Sequence, residues 1–207
     1  MHKELTKYFG DVNPSLFYTD HHTAHAASVF YLSPYEESAI FTVDGMGNWV
    51  TTTLGIGIKN KIKTLSRIGY PQSLGLFYGA LTQYVGFKAN CDEGKTMGLA
   101  PYGEPKYKKL ITDNLIDIKD DGSFKLDQSY FEYSTGLRMT SERFSKLFGN
   151  KPRDPKKEQL TRFHMDIASS IQEVTEDVML KITNSLANEY NIKNLCLAGG
   201  VALNCVA

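Results

Sequence analysis

Cysteine is scarce and unpatterned in this chain: Cys91, Cys196 and Cys205 are the full complement, and no two form a CxxC pair. That excludes both the dense framework of a small disulfide-stapled domain and the ligand spacing of a structural zinc site, and it fits reduced thiols in a cytoplasmic compartment. Excess charge of either sign is also lacking, since 23 Lys+Arg face 23 Asp+Glu. Neither nucleic acid nor an anionic membrane is therefore expected as a partner, and recognition falls to local sites. No apolar run approaches the roughly 20 residues of a membrane helix, and the opening MHKELTKYFG has no apolar stretch of the secretory type. Internal repeats and low-complexity segments are absent. What is present is 42% hydrophobic residues over 207 positions, enough for one sizeable domain or two small ones with a buried core.

Turn signals divide ESAIFTVDGMGNWVTTTLGIGIKNKIKTLSRI into three β-branched runs, about 38–43, 49–57 and 62–68, which predict an antiparallel meander. Leu74, Phe77, Tyr78, Leu81, Tyr84 and Val85 recur at helical spacing after Ser73, a capping residue, and predict a helix over 73–86. FKANCDEGKTMGLAPYGEP reads as a folded loop with one helical turn. Residues 104–157 are polar and irregular and are expected to form a surface insertion, with DIKDDGSFKLD as a short hairpin and GNKPRDPKKEQ as a basic connector. From Thr161 to Tyr190 the apolar positions keep a helical period, so one long helix should lay its stripe on the sheet. The chain closes with a strand at 194–198, a Gly199-Gly200 turn and a helix starting at Val201. The sequence stops within that predicted helix, without a cap, as a shortened chain would. Trp49, Phe77 and Tyr78 are read as packing residues, and His164 as a satisfied histidine.

Four segments could carry chemistry. DHHTAHAAS places His21 and His25 four residues apart, about 40° apart around a helix that starts near Asp20, so both imidazoles can reach one cation. His22 with His25 is a competing pair, and a solvated first turn capped by Asp20 is the more common meaning of an isolated HxxxH. Zinc, iron and manganese accept imidazole, and an added carboxylate favours iron or manganese. Asp44, in FTVDGMGNW, ends an apolar strand beside Gly45 and Gly47, where a cation or phosphate can approach; an Asp-Gly turn bonding only to itself is the plainer alternative. LAGGVALN has the strand, Gly-Gly, helix-start form that offers backbone N–H groups to an anion, unless the glycines serve close packing alone. Asn204 then suits a ligand hydroxyl or its own backbone. In CDEGKTMGLAPYG, Glu93 and Lys95 suit phosphate or carbamoyl recognition, although the P-loop spacing is absent because Ala89 stands where its first glycine would be. No Ser-His-Asp or Cys-His arrangement can be assembled.

Taken in order, HHTAHAASVFYLSP, TVDGMGNWVTT, SLGLFYGALTQYVGFKANCDEGKTMGLAPYG and LAGGVALNCVA resemble the O-carbamoyltransferase family, which includes nodulation-factor and antibiotic carbamoyltransferases and is related to the hydrogenase-maturation carbamoyltransferase. The resemblance implies an α/β fold with incomplete lobes of the actin-like, sugar-kinase ATPase superfamily (ribonuclease H-like). It implies that carbamoyl phosphate and ATP yield a carbamoyl-adenylate, from which this type of domain transfers the carbamoyl group to a hydroxyl of a small-molecule or sugar acceptor. By position, His21 and His25 correspond to metal-binding histidines and Asp44 to an acidic ligand of the same divalent metal, iron or manganese. Gly199, Gly200, Val201 and Asn204 correspond to the nucleotide-contacting segment, Lys95 is assigned to the same cofactor, and His22, beside the metal pair, is the candidate catalytic base. Members begin with a strand pair that this sequence lacks, and they continue far beyond the Gly-Gly segment, where a further metal-binding aspartate lies. Two rivals compete with this reading: a threonylcarbamoyl transferase acting on tRNA, which the neutral charge disfavours, and a shortened nucleotide-binding domain without turnover. A homodimer is compatible with either.

Overall fold

The computed structural model describes residues 2–10 and 17–207. In chain order the elements are α1 His2–Phe9, α2 His21–Phe30, β1 Glu37–Gly47, β2 Val50–Ile58, β3 Lys61–Gly69, α3 Leu74–Tyr84, α4 Glu93–Leu99, α5 Lys108–Asn114, β4 Ile116–Ile118, β5 Phe124–Leu126, α6 Glu142–Phe148, α7 Arg162–Tyr190 and β6 Leu195–Ala198. The predicted meander is present, with β1 extended to Gly47, β2 shifted by one residue and β3 longer by one residue at each end, and β6 joins it in parallel alongside β1 to give the order β3-β2-β1-β6. The fold is thus mixed α/β, built on a mixed sheet.

β1 carries the site, and its burial explains its sequence. Ser38 to Val43 are all buried, so the strand reads as a continuous apolar run rather than an alternation. Its side chains still alternate between faces. Ile40 packs with Ala26 and Phe30 of α2 and with Cys196 of β6, whereas Phe41 and Val43 enter the main core with α3 and α7. Even-numbered positions therefore face α2. Helix α2 crosses β1, β2 and β6 and buries His22, Ala26 and Phe30 at four-residue intervals. Gly57 of β2 makes room for it, since a Cβ there would lie 2.5 Å from the Phe30 ring.

The opposite face of the sheet is covered by α3 and α7. Ser73 caps α3 by accepting from the Leu76 N–H. Thr161 and His164 form a reciprocal capping box at the start of α7, so His164 is a satisfied buried histidine. Helix α7 lies against α3, α4 and α5 and meets the sheet at β1, and its Leu186 clusters with Ala39 of β1, Leu54 and Ile56 of β2 and Leu65 of β3; as expected, its stripe lies on the sheet, with helices packed beside it.

Two expectations are corrected here. Residues 104–157 are not a surface insertion: Ile111, Leu115, Ile116, Leu126, Phe144 and Phe148 are buried in the same core as β1, α3 and α7. Within that segment the DIKDDGSFKLD hairpin is present as β4 and β5. Trp49 is not a packing residue either. It is 72% exposed, because Asn48 and Trp49 form the two-residue β1–β2 turn, both with positive φ (53° and 69°), and the indole projects from it against the edge of Tyr70. Among the described residues no helix is long and apolar enough to cross a membrane.

Candidate metal centre and adjoining cleft

Asp20 sets the centre in register. Its side chain caps α2 through the Thr23 N–H at 3.1 Å, which starts the helix at His21 and places His21 and His25 one turn apart beside the buried His22 face. The β1–β2 turn then fixes His21 from above. Asn48 Oδ1 accepts from the His21 N–H at 3.2 Å, and Gly47 leaves space for the imidazole, since a Cβ there would lie 2.0 Å from the ring. From below comes Asp44, an even-numbered position of β1 and therefore on the α2 side.

Three donor atoms converge. Asp44 Oδ2 lies 2.8 Å from His21 Nε2 and 3.0 Å from His25 Nε2, and the two imidazole nitrogens are 3.0 Å apart. The other carboxylate oxygen, Oδ1, accepts from the Gly45 N–H at 2.8 Å and the Gly200 N–H at 3.3 Å. Burial by itself would push the Asp44 carboxyl up, but the hydrogen bonds from His21, Gly45, His25 and Gly200 outweigh it and hold the pKa below the ordinary carboxylate value. The carboxylate is ionised, immobilised through one oxygen, and presents the other to both imidazoles.

His22 does not belong to this cluster. It is 1% exposed and turns both ring nitrogens inward, Nδ1 on Thr42 Oγ1 at 2.6 Å and Nε2 on the Val50 carbonyl at 3.0 Å. A carbonyl can only accept, so Nε2 carries the proton and Nδ1 accepts from the Thr42 hydroxyl. Burial, above all, lowers its pKa. A neutral imidazole with no free nitrogen has nothing to offer an acceptor hydroxyl, so the geometry does not suit the base role expected from its position beside the metal pair.

On the α3 side of Asp44 opens a cleft of about 490 Å³. Asp44, Gly45, Gly75, Glu93, Gly200 and Asn204 line it, drawing on all the chemistry-bearing segments except DHHTAHAAS, which reaches it through Asp44. Gly75 allows α3 to press against the Asp44-Gly45 backbone, where a Cβ would lie 2.7 Å from the Gly45 nitrogen, and Ser73 Oγ donates to the Gly45 carbonyl at 2.6 Å.

The Gly-Gly segment combines both of its readings. Gly199 (φ 102°) sits where a Cβ would be 2.2 Å from the Val43 carbonyl oxygen, a packing requirement, whereas Gly200 and Val201 face the cleft. Val201–Leu203 then forms a single 3₁₀ turn and not the expected helix, so no helix dipole points at a ligand here. Asn204 pairs amide to amide with Gln172 of α7, at 2.9 and 3.1 Å, and the buried Tyr78 hydroxyl donates to the same Gln172 Oε1. Lys95 is turned away: its side chain is 63% exposed and ion-paired with Asp92 at 2.9 Å. Glu93 takes the place in the wall, Oε1 accepting from the Asn90 N–H at 2.6 Å. Tyr78 and Gln172 escaped sequence reasoning because their helical spacing marks them only as core; their pairing across 94 residues is a tertiary fact.

Comparison with known proteins agrees with the motif order. Residues 3–207 match the sequence family described as Carbamoyltransferase N-terminus. The chain is 54% identical over 194 residues to an uncharacterized protein of Synechocystis sp., covering 94% of this chain and 31% of that protein. It is 33% identical to the nodulation protein NolNO of Sinorhizobium fredii, over 97% of this chain and 28% of that one, and 33% identical to the nodulation protein NolO of Bradyrhizobium diazoefficiens, over 90% and 32%. The chain thus spans about a third of the length of these curated relatives. With a match running through nearly its whole length, the chain belongs to the carbamoyltransferase N-terminus family.

Proposed function

We propose that this chain is the carbamoyl-transferring segment of an O-carbamoyltransferase, with His21, His25 and Asp44 holding a divalent metal beside a cleft for the nucleotide half of a carbamoyl-adenylate. In this reading ATP and carbamoyl phosphate supply the donor and a hydroxyl compound receives the group. The meander with its added parallel strand suits a lobe of the actin-like ATPase kind.

One observation carries the metal reading: three donors from two elements converge, standing 2.8–3.0 Å apart. Two imidazoles and a carboxylate are a donor set that iron or manganese accepts. When bound, the ion would supply positive charge to the phosphate that leaves as AMP.

The remaining work falls to the chain. Asp44 is held in position by two backbone N–H groups before any ligand arrives, so little reorganisation is needed. Glu93 is suited to accept from hydroxyls in the cleft rather than to hold phosphate. Tyr78, whose hydroxyl is pushed well up by burial and so stays protonated, fixes Gln172 and through it the Asn204 wall.

The reading is tested by titrating the chelator-treated chain with Fe²⁺ or Mn²⁺ and then with AMP in a calorimeter. One metal per chain is expected, with affinity lowered about 100-fold or more in His25→Ala, and AMP binding in the wild type. A folded chain that takes up neither metal nor AMP, or a His21→Ala, His25→Ala double variant that binds metal unchanged, sinks it. Carbamoyl transfer is then read in the full-length protein with the same substitutions.

A further inference from the structure

A second cleft, of about 820 Å³, lies behind the first, and the proposed carbamoyl chemistry does not use it. The two share the 88–95 turn: Asn90, Cys91, Glu93 and Gly94 face the metal side, while Lys88, Asp92 and Lys95 face the other. Arg138, Lys151 and Arg153 complete the basic lining. In a chain of zero net charge this places five cations against one carboxylate, and that carboxylate is already taken by Lys95 at 2.9 Å. Among the described residues Lys88, Arg138 and Lys151 have no ion-pair partner.

Arg153 shows that the wall is built rather than accidental. It is 9% exposed, and its Nε donates to the Val85 carbonyl at 2.7 Å and its Nη1 to the Glu158 carbonyl at 2.9 Å. Gly86 (φ 90°) makes room for it, since a Cβ there would lie 2.6 Å from Nε. Carbonyl dipoles at the end of α3 support the buried guanidinium but do not cancel its charge, so the floor of the cleft stays positive.

We infer that this cleft binds a small phosphate-bearing ligand, with Lys88, Arg138 and Lys151 as direct ligands and Arg153 as the fixed charge beneath them. The volume is that of a small-molecule site, and the planar fork of Arg138 suits two phosphate oxygens. Lys95, expected at the nucleotide, is reassigned to the rim of this cleft. The inference stands apart from the carbamoyl reading, because the cleft can be probed with a chelator present.

The test is calorimetric titration of the 207-residue chain with inorganic pyrophosphate in EDTA. Binding is expected, weakening as KCl rises and falling about tenfold in each of Arg138→Gln and Lys151→Gln. Lys63→Gln, on the exposed edge strand β3, should change nothing. Both cleft residues are exposed, and unchanged circular dichroism certifies the fold of each variant. No binding of pyrophosphate, binding unaltered in both cleft variants, or an equal loss in Lys63→Gln overturns the inference. So does a short oligoribonucleotide held at least tenfold more tightly than pyrophosphate, which would make the surface a nucleic-acid face instead.

Discussion

His21, His22 and His25 are chemically identical and lie within one and a half turns, yet they end in two different environments. The helix phase puts His22 on the stripe that Ala26 and Phe30 continue, so its imidazole is driven against the sheet and must be satisfied there by Thr42 and Val50. Replacing it with alanine opens a cavity and strands two polar partners. We expect His22→Ala to cost about 2–4 kcal/mol in urea unfolding while leaving one metal per chain in a Mn²⁺ titration; loss of metal with unchanged stability would return it to the centre. Gly47 gives the complementary case. A Cβ there would lie 2.0 Å from the His21 ring, so Gly47→Ala should displace the ring and weaken metal binding about 10- to 100-fold, read by the same titration.

At the scale of elements, the join between α7 and the 103–106 segment is held by one buried carboxylate. Asp166 Oδ1 accepts from the Glu104 N–H at 2.8 Å and from Arg162 Nε at 2.9 Å, and Oδ2 lies 3.3 Å from Lys106 Nζ. Burial opposes the charge, but the Glu104 amide, Lys106 and Arg162 prevail and depress the pKa below its ordinary value of 3.8. The folded state thus holds the ionised form. Its stabilisation is fully present above the unfolded pKa and is lost as pH falls through the lower folded one. Thermal melts between pH 6 and 2 should therefore show a loss of stability below about pH 4 that is smaller in Asp166→Asn; identical pH slopes for the two chains would refute the assignment. Gly103 makes the same join possible, as a Cβ there would lie 2.0 Å from the Met165 carbonyl oxygen.

For the molecule as a whole, the question is whether residues 104–157 are an appendage or part of the single core. Phe144 is fully buried between Tyr84 and Phe148, in the cluster that also holds Phe41 and Val43 behind the metal centre. Phe144→Ala should then cost about 3–5 kcal/mol, measured by chemical denaturation, whereas a surface position would cost within about 0.5 kcal/mol.

Much of this was legible in the residues themselves. The meander, the two long helices and the Ser73 cap come from local periodicity and capping chemistry, which act over a few residues and are written in adjacent letters. The same holds for the four-residue spacing of His21 and His25 on a helix begun by Asp20. Segment 104–157 gives no such signal, because each of its short elements offers only two or three apolar positions, too few to show a period. Which side of the 88–95 turn faces which cleft, and so the exchange of Lys95 for Glu93, depends on α3 and α7, far away in sequence. Trp49 left the core because the hairpin turned at Asn48-Trp49 rather than at Asp44-Gly45. That shift kept Asp44 within β1, on the α2 face, and only the packing of helix on sheet brought its free oxygen within 3.0 Å of both imidazoles. Residue types and their short-range order were set by the sequence alone; the convergence of groups 19 and 23 positions apart was decided by tertiary structure, because strand register and helix docking act at distances no local pattern encodes.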